Sequence, residues 1–265
     1  MRYKVRVSFR RTALAQLAVL TLVLVACGHE TTSPGGSELS GPLTVSAAAS
    51  LTGSFETVGA GFEAANPGVT VDFNFDSSGT LSTQILEGAP VDVFASANQS
   101  NMDKIADDDQ IDGDDVVFAT NRLIIVTQPG NPEGIATLAD LADVGIVSLC
   151  SEDAPCGTFA DEALTAAAVE IPEGNVTRGQ NVKATLAAVT EGDAVAALVY
   201  VTDAQAAGDR VDTVVIPDGQ NVIATYPIAV MAGSGNTDVA QAFVAYVQSA
   251  EGQAVLEAAG FQPPS

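Results

Sequence analysis

From residue 43 onward, short apolar runs alternate with segments in which alanine, leucine, valine and phenylalanine return every three or four positions. The runs at 43–47, 70–75, 91–95, 123–127, 144–149, 196–201, 213–216 and 228–232 predict strands. Helical spacing marks 54–65, 80–87, 157–168, 182–191, 237–249 and 251–259. In the first of these helices Phe55, Val58 and Phe62 share one face, and Asn66-Pro67-Gly68 is a stop signal. Strand and helix in alternation predict an α/β fold with mostly parallel sheets, because a parallel pair needs a crossover that a helix supplies. The chain can leave a first lobe near 121–127 and return near 223–228, at Tyr226-Pro227. That predicts a discontinuous first lobe, 43–122 with 226–265, and an inserted second lobe, 123–225.

The amino terminus has another pattern. Arg2, Lys4, Arg6, Arg10 and Arg11 precede an apolar run from Ala13 to Ala26 that is short for a membrane span, so residues 1–26 are expected to be a secretory signal. Its end, Leu24-Val25-Ala26-Cys27, has the order of a bacterial lipobox, which makes Cys27 the expected lipid-bearing first residue of the mature chain. A plain signal peptide with an incidental cysteine is the alternative. Residues 27–42 are polar and rich in Gly, Ser, Thr and Pro, as a flexible tether is, and His29 falls within them.

Composition narrows the function. Among 265 residues there are 33 acidic and 10 basic side chains, a net charge of −23, and a single histidine. Removal of 1–26 takes away five basic and no acidic residues, which leaves 5 against 33 and a net charge of −28. Such a chain repels phosphate backbones, so nucleic acid is excluded as a partner. One histidine removes most catalytic triads and histidine-rich metal sites. Cys150 and Cys156 lie close together in an exported segment, where a disulfide is expected; a redox pair is the alternative, although the spacing is not C-x-x-C.

The chemistry to look for lies in four small-residue turns that open helices. They are Ala47-Ala48-Ala49-Ser50-Leu51-Thr52, Asp76-Ser77-Ser78-Gly79-Thr80, Ala154-Pro155-Cys156-Gly157-Thr158 and Arg178-Gly179-Gln180-Asn181-Val182. Ser50 is placed to cap its helix. Each opening offers unpaired N–H groups and about half a positive elementary charge, which suits an oxyanion. One such turn is ordinary capping, but two fall in each expected lobe, so a closing cleft can aim all four at one anion. Tyr200, at the end of an apolar run, adds a phenolic donor or is a tyrosine at the core edge.

Three rival signals fail. Gly59-Ala60-Gly61-Phe62-Glu63-Ala64 fits a loose dinucleotide fingerprint but lies within a helix pattern and follows no strand. Asp108, Asp112 and Gly113 suggest a calcium loop, yet Gln110 takes the third position and Ala119 the twelfth. The acidic run 107–115 then reads as a solvated surface. An exported enzyme would need a base beside Ser50 or Ser78, and no histidine or lysine lies near them in sequence.

The stretches LTVSAAASLTGSF, FDSSGTLSTQILEGAPVDVFASAN, PCGTFADEAL, NVKATLAAVTEGDAVAALVYVTDA, YPIAVM and GFQPP resemble the molybdate-binding component of bacterial ABC transporters, and the likeness spans Leu43 to Phe261. The resemblance implies a two-lobed periplasmic binding protein of type II that closes on molybdate or tungstate with hydroxyls and amides and delivers it to a membrane permease. Carried over by match, Ser50 and Ser78 each supply a hydroxyl and an amide, Cys156 and Val182 an amide, and Tyr200 its hydroxyl. Cys156 stands where that family commonly has alanine, so its side chain is free for Cys150. The resemblance also implies a monomer at the outer face of the membrane or in the periplasm, with no catalytic activity, no cofactor and no metal ligated directly. The alternative within the binding class is another oxyanion, sulfate or phosphate, or a small organic anion. Ser78→Ala is expected to weaken the oxyanion while leaving the melting of the unliganded protein nearly unchanged.

Overall fold

The computed structural model describes residues 38–264, with nine strands and eight α-helices among them. The signal at 1–26, Cys27 and His29 lie outside the described residues. The first βαβ unit is β1 (Ser40–Ala48), α1 (Thr52–Ala65) and β2 (Gly68–Asp76). Ser40, Gly41 and Pro42, expected in the tether, begin β1 instead, because β2 offers them parallel partners from Gly68 to Thr70. There follow α2 (Ser78–Leu86), β3 (Val93–Ala95), α3 (Gln99–Ala106) and the long β4 (Val116–Thr127). Then come β5 (Val147–Cys150), α4 (Pro155–Ala166), β6 (Val176–Gly179), α5 (Val182–Thr190), β7 (Ala196–Tyr200), α6 (Val201–Ala207) and β8 (Asp212–Val215). β9 (Ile223–Val230), α7 (Thr237–Gln248) and α8 (Ala250–Ala258) complete the chain.

The sheet order is β2-β1-β3-β9-β4-β7-β5-β6, with β8 on β4. Its two flanks are parallel: β1 pairs β2 and β3, and β5 pairs β6 and β7. Between them β4 and β9 run antiparallel to their neighbours, which makes the whole sheet mixed. β4 pairs with β9 over Val116–Arg122 and with β7 from Leu123, so one strand belongs to both flanks. Pattern reading placed this strand at 123–127 and the return strand at 228–232; each begins earlier, because Asn121 and Arg122 pair with Ala224 and Ile223 despite their polarity.

Burial follows the pattern. Phe55, Val58 and Phe62 turn one face of α1 into the core, against Phe73, Phe118, Phe243 and Tyr246. A Cβ on Gly59 would stand 2.6 Å from the Phe73 ring, and one on Gly61 would meet the Tyr246 hydroxyl. The G-x-G pattern thus reports close helix packing. In the other flank β5 and β7 are buried along their whole length, as strands covered on both faces are. The acidic residues Asp107, Asp108, Asp109, Asp112 and Asp114 are exposed, and no cluster able to hold a metal occurs among the described residues.

Candidate functional site

The four helix openings meet. Ser50, Ser78, Cys156, Val182 and Tyr200 all line one small cavity. Ala48, Ala49 and Ala97 fill in around them, small enough for main chain to reach the cavity, and no charged side chain lines it. The first two residues come from the β1/β2/β3 flank and the other three from the β5/β6/β7 flank.

Each opening exposes its donor for a different local reason. Ser50 sits in a 3-10 turn, Ala49–Leu51, and α1 has Leu51 at its N-cap with no side-chain cap. Ser50 therefore does not cap; its hydroxyl lies 3.0 Å from that of Tyr226, 176 residues later. At α2 the cap is Ser77, whose Oγ accepts from Thr80 N–H at 3.1 Å. That leaves Ser78 at the first helical position, fully buried, with an N–H that has no partner within the helix. Its Oγ accepts from Ala97 N–H at 2.9 Å, so the hydroxyl proton remains to be donated.

At α4, Pro155 takes the first position and contributes no N–H, while Gly157 and Thr158 both donate to Ala154 O. The Cys156 amide is the donor left at that end. Cys156 is joined to Cys150, at the end of β5, with 5.7 Å between their Cα atoms. Thr185 Oγ1 in α5 lies 3.0 Å from Asn181 O and 3.3 Å from Cys150 Sγ, so the α5 opening packs against the disulfide. At α5, Asn181 Oδ1 accepts from Lys183 and Ala184 N–H at 3.1 Å each, and Val182, at the first helical position, keeps its amide free.

Tyr200 ends β7 with its hydroxyl buried and without a hydrogen-bond partner among the described residues. Burial, with Tyr226 and then Asp203 close by, pushes this phenol well above its ordinary range, so it stays a donor. Burial raises Tyr226 too, against the hydrogen bond it shares with Ser50. Behind these rings Lys183 Nζ stands 2.9 Å from Oδ1 of the fully buried Asp203, as an ion pair rather than an aligned hydrogen bond. Burial raises the Asp203 carboxyl above its ordinary value, and the Lys183 ammonium opposes that. Lys183 also lines a second cavity, together with Ser50, Thr202 and Gln205.

Tyr226, Ala97, Asn181 and the Lys183–Asp203 pair carry weight here and were not among the site residues expected from the sequence. Only Asn181 had a local signal, as an amide at a cap position whose donor half has no use within the helix. Ala97 also changes the reading of Ser78. Removing that hydroxyl orphans a buried amide, so Ser78→Ala must cost stability as well as a donor.

Donors from two flanks around a cavity without charged walls suit a compact anion with several oxygens, since each N–H and O–H can meet a different oxygen. The chain matches the bacterial extracellular solute-binding protein family over residues 43–262. It is 38% identical over 251 residues to the molybdate-binding protein ModA of Mycobacterium tuberculosis H37Rv, covering 93% of this chain and 95% of that one. Among solved structures it is similar to the periplasmic molybdate-binding protein of Azotobacter vinelandii, with a TM-score of 0.77, 18% identity, and 84% and 100% of the two chains covered. It is also similar to the sulfate-binding protein SubI of Mycobacterium tuberculosis, with a TM-score of 0.75, 20% identity, and coverage of 84% and 86%.

Proposed function

The chain belongs to the bacterial extracellular solute-binding proteins, and from that membership we propose that it captures molybdate, and tungstate with it, between two lobes and delivers it to an ABC permease. The lobes are 43–122 with 226–265 and 123–225, and β4 and β9 join them. The ligands to the oxyanion are the hydroxyls of Ser50, Ser78 and Tyr200 and the amides of Ser50, Ser78, Cys156 and Val182. The protein acts outside the cytoplasm as a monomer, anchored by lipid on Cys27. Membership of a solute-binding family supports a carrying role over catalysis. The observation that carries the reading is the meeting of four helix openings from both flanks on one cavity with no charged side chain in its wall.

A dianion held by a chain this acidic needs an account of forces. Beyond roughly 8 Å the field of the surface carboxylates is largely screened at physiological salt, whereas hydrogen bonds act at about 2.8 Å. Each bond to a charged acceptor contributes about 1.5 to 3 kcal/mol, and several together offset dehydration and lobe closure. Selection against sulfate then depends on spacing, because donors set for the larger metal oxyanion leave a smaller one with stretched bonds. Calorimetric titration with molybdate, tungstate, sulfate and phosphate tests the reading. Tight binding of molybdate and tungstate with little heat from sulfate is expected; the reverse order would make this a sulfate receptor.

A further inference from the structure

Asp76 ends β2 in one flank and Asn181 opens α5 in the other, 105 residues apart, and Asn181 Nδ2 donates to Asp76 Oδ1 at 2.9 Å. The same carboxylate oxygen accepts from Ser77 N–H at 2.7 Å, within its own flank. Asn181 Oδ1 meanwhile caps α5. Each side chain is thus held by its own half and shares one bond across the gap. Beside them Gly79 lies so close to the Asp153 carbonyl that a Cβ could not fit, another approach between the halves. Asn181 and Ser77, the residue after Asp76, both line the cavity, so this bond between the halves lies beside it.

We propose that Asp76 and Asn181 form a latch, made once the lobes have closed over the oxyanion, that sets how long the ligand is held. The proposal rests on the reading of the cavity as an oxyanion site. A bond formed after capture slows escape and leaves encounter unchanged, so its signature is in the release rate.

The test is a double-mutant cycle on the mature chain with molybdate: wild type, Asn181→Asp, Asp76→Asn and the double variant, with affinity from calorimetry and rates from stopped-flow tyrosine fluorescence. Aspartate also caps helices, so Asn181→Asp keeps α5 while setting two carboxylates face to face. It is expected to weaken binding at least tenfold, mainly through faster release. In the double variant donor and acceptor change places, and it is expected to bind at least fivefold tighter than the product of the two single effects. If the single effects multiply, each charge acts on the anion by itself and the latch is overturned; a change confined to the association rate overturns it too. Asn181→Gly, which a helix N-cap tolerates, brings no side-chain donor to Asp76 and serves if Asn181→Asp does not fold. On that background Asp76→Asn is expected to add nothing, and a further loss equal to that seen in wild type overturns the latch. A wild-type chain silent to molybdate and tungstate overturns the receptor reading and the latch together, whereas a wild type that binds with multiplying singles overturns the latch alone.

Discussion

The two flanks bring donors to the same cavity by different means. In the β1/β2/β3 flank the donors include side-chain hydroxyls, Ser50 and Ser78, each set by a hydrogen bond to a distant residue, Tyr226 or Ala97. This flank rests on a cluster of phenylalanine rings, Phe55, Phe62, Phe73 and Phe243 among them. In the β5/β6/β7 flank two of the three donors are main-chain amides, Cys156 and Val182, placed by a proline, a disulfide and the Asn181 cap. A hydroxyl donor can be deleted by one substitution. An amide donor survives any small change of side chain and responds only to backbone position.

The largest effect should come from the support of α5. Lys183→Met leaves the fully buried Asp203 without its countercharge and is expected to cost about 3 kcal/mol in urea unfolding at pH 7, since removal of one partner leaves an uncompensated charge. Burial already raises Asp203 above the ordinary carboxylate range, and loss of Lys183 removes what opposes the rise. As the pH falls, the folded variant therefore takes up a proton before its unfolded chain does, and the stability deficit should narrow. A deficit that does not vary with pH would mean that the carboxylate finds water or another partner.

Ser78→Ala comes next. On the proposed oxyanion site it removes a charge-assisted donor, for an expected loss of about 1.5 to 3 kcal/mol in molybdate binding by calorimetry, and it orphans the Ala97 amide, for a loss of about 1 to 3 kcal/mol in unfolding of the unliganded protein. Binding lost without stability would show that the Ala97 amide finds water instead.

Val182→Ala sharpens the contrast with the smallest effect on the ligand. The buried side chain loses two methyl groups, worth about 1.5 kcal/mol of stability, while the amide stays. Molybdate affinity should remain within about threefold of wild type. A tenfold loss would show that the valine side chain, and not only its amide, sets the site.

Much of the fold was legible because it is written in short-range periodicity. Phe55, Val58 and Phe62 declare a helix face within eight residues, and Asn66-Pro67 ends it. α3 was missed: it runs for eight residues and buries only Asn101, Met102 and Ile105, too weak a stripe to detect. α6 was hidden because Val201 continues the apolar run of β7, and only the turn of the chain at Tyr200 separates strand from helix. β6 was missed because Thr177 and Arg178 are exposed on a sheet edge and show no apolar alternation. Within the site the helix openings were legible as capping patterns, whereas the Ser50 hydroxyl, expected to cap, goes instead to Tyr226.

The sequence by itself determined the alternation of strand and helix, the four small-residue helix openings, and the closeness of Cys150 to Cys156. All of these depend on residues a few positions apart, where backbone geometry leaves few choices. Only the tertiary structure decided that the openings face one cavity, that β4 serves both flanks, that Tyr226 and Ala97 hold the two serines, and that Lys183 is held by Asp203. Those contacts join residues tens to hundreds of positions apart, and no local pattern encodes which side chain will be opposite which once the sheet has assembled. Asp76 and Asn181 each have a complete local role, so their meeting leaves no trace in either stretch of chain.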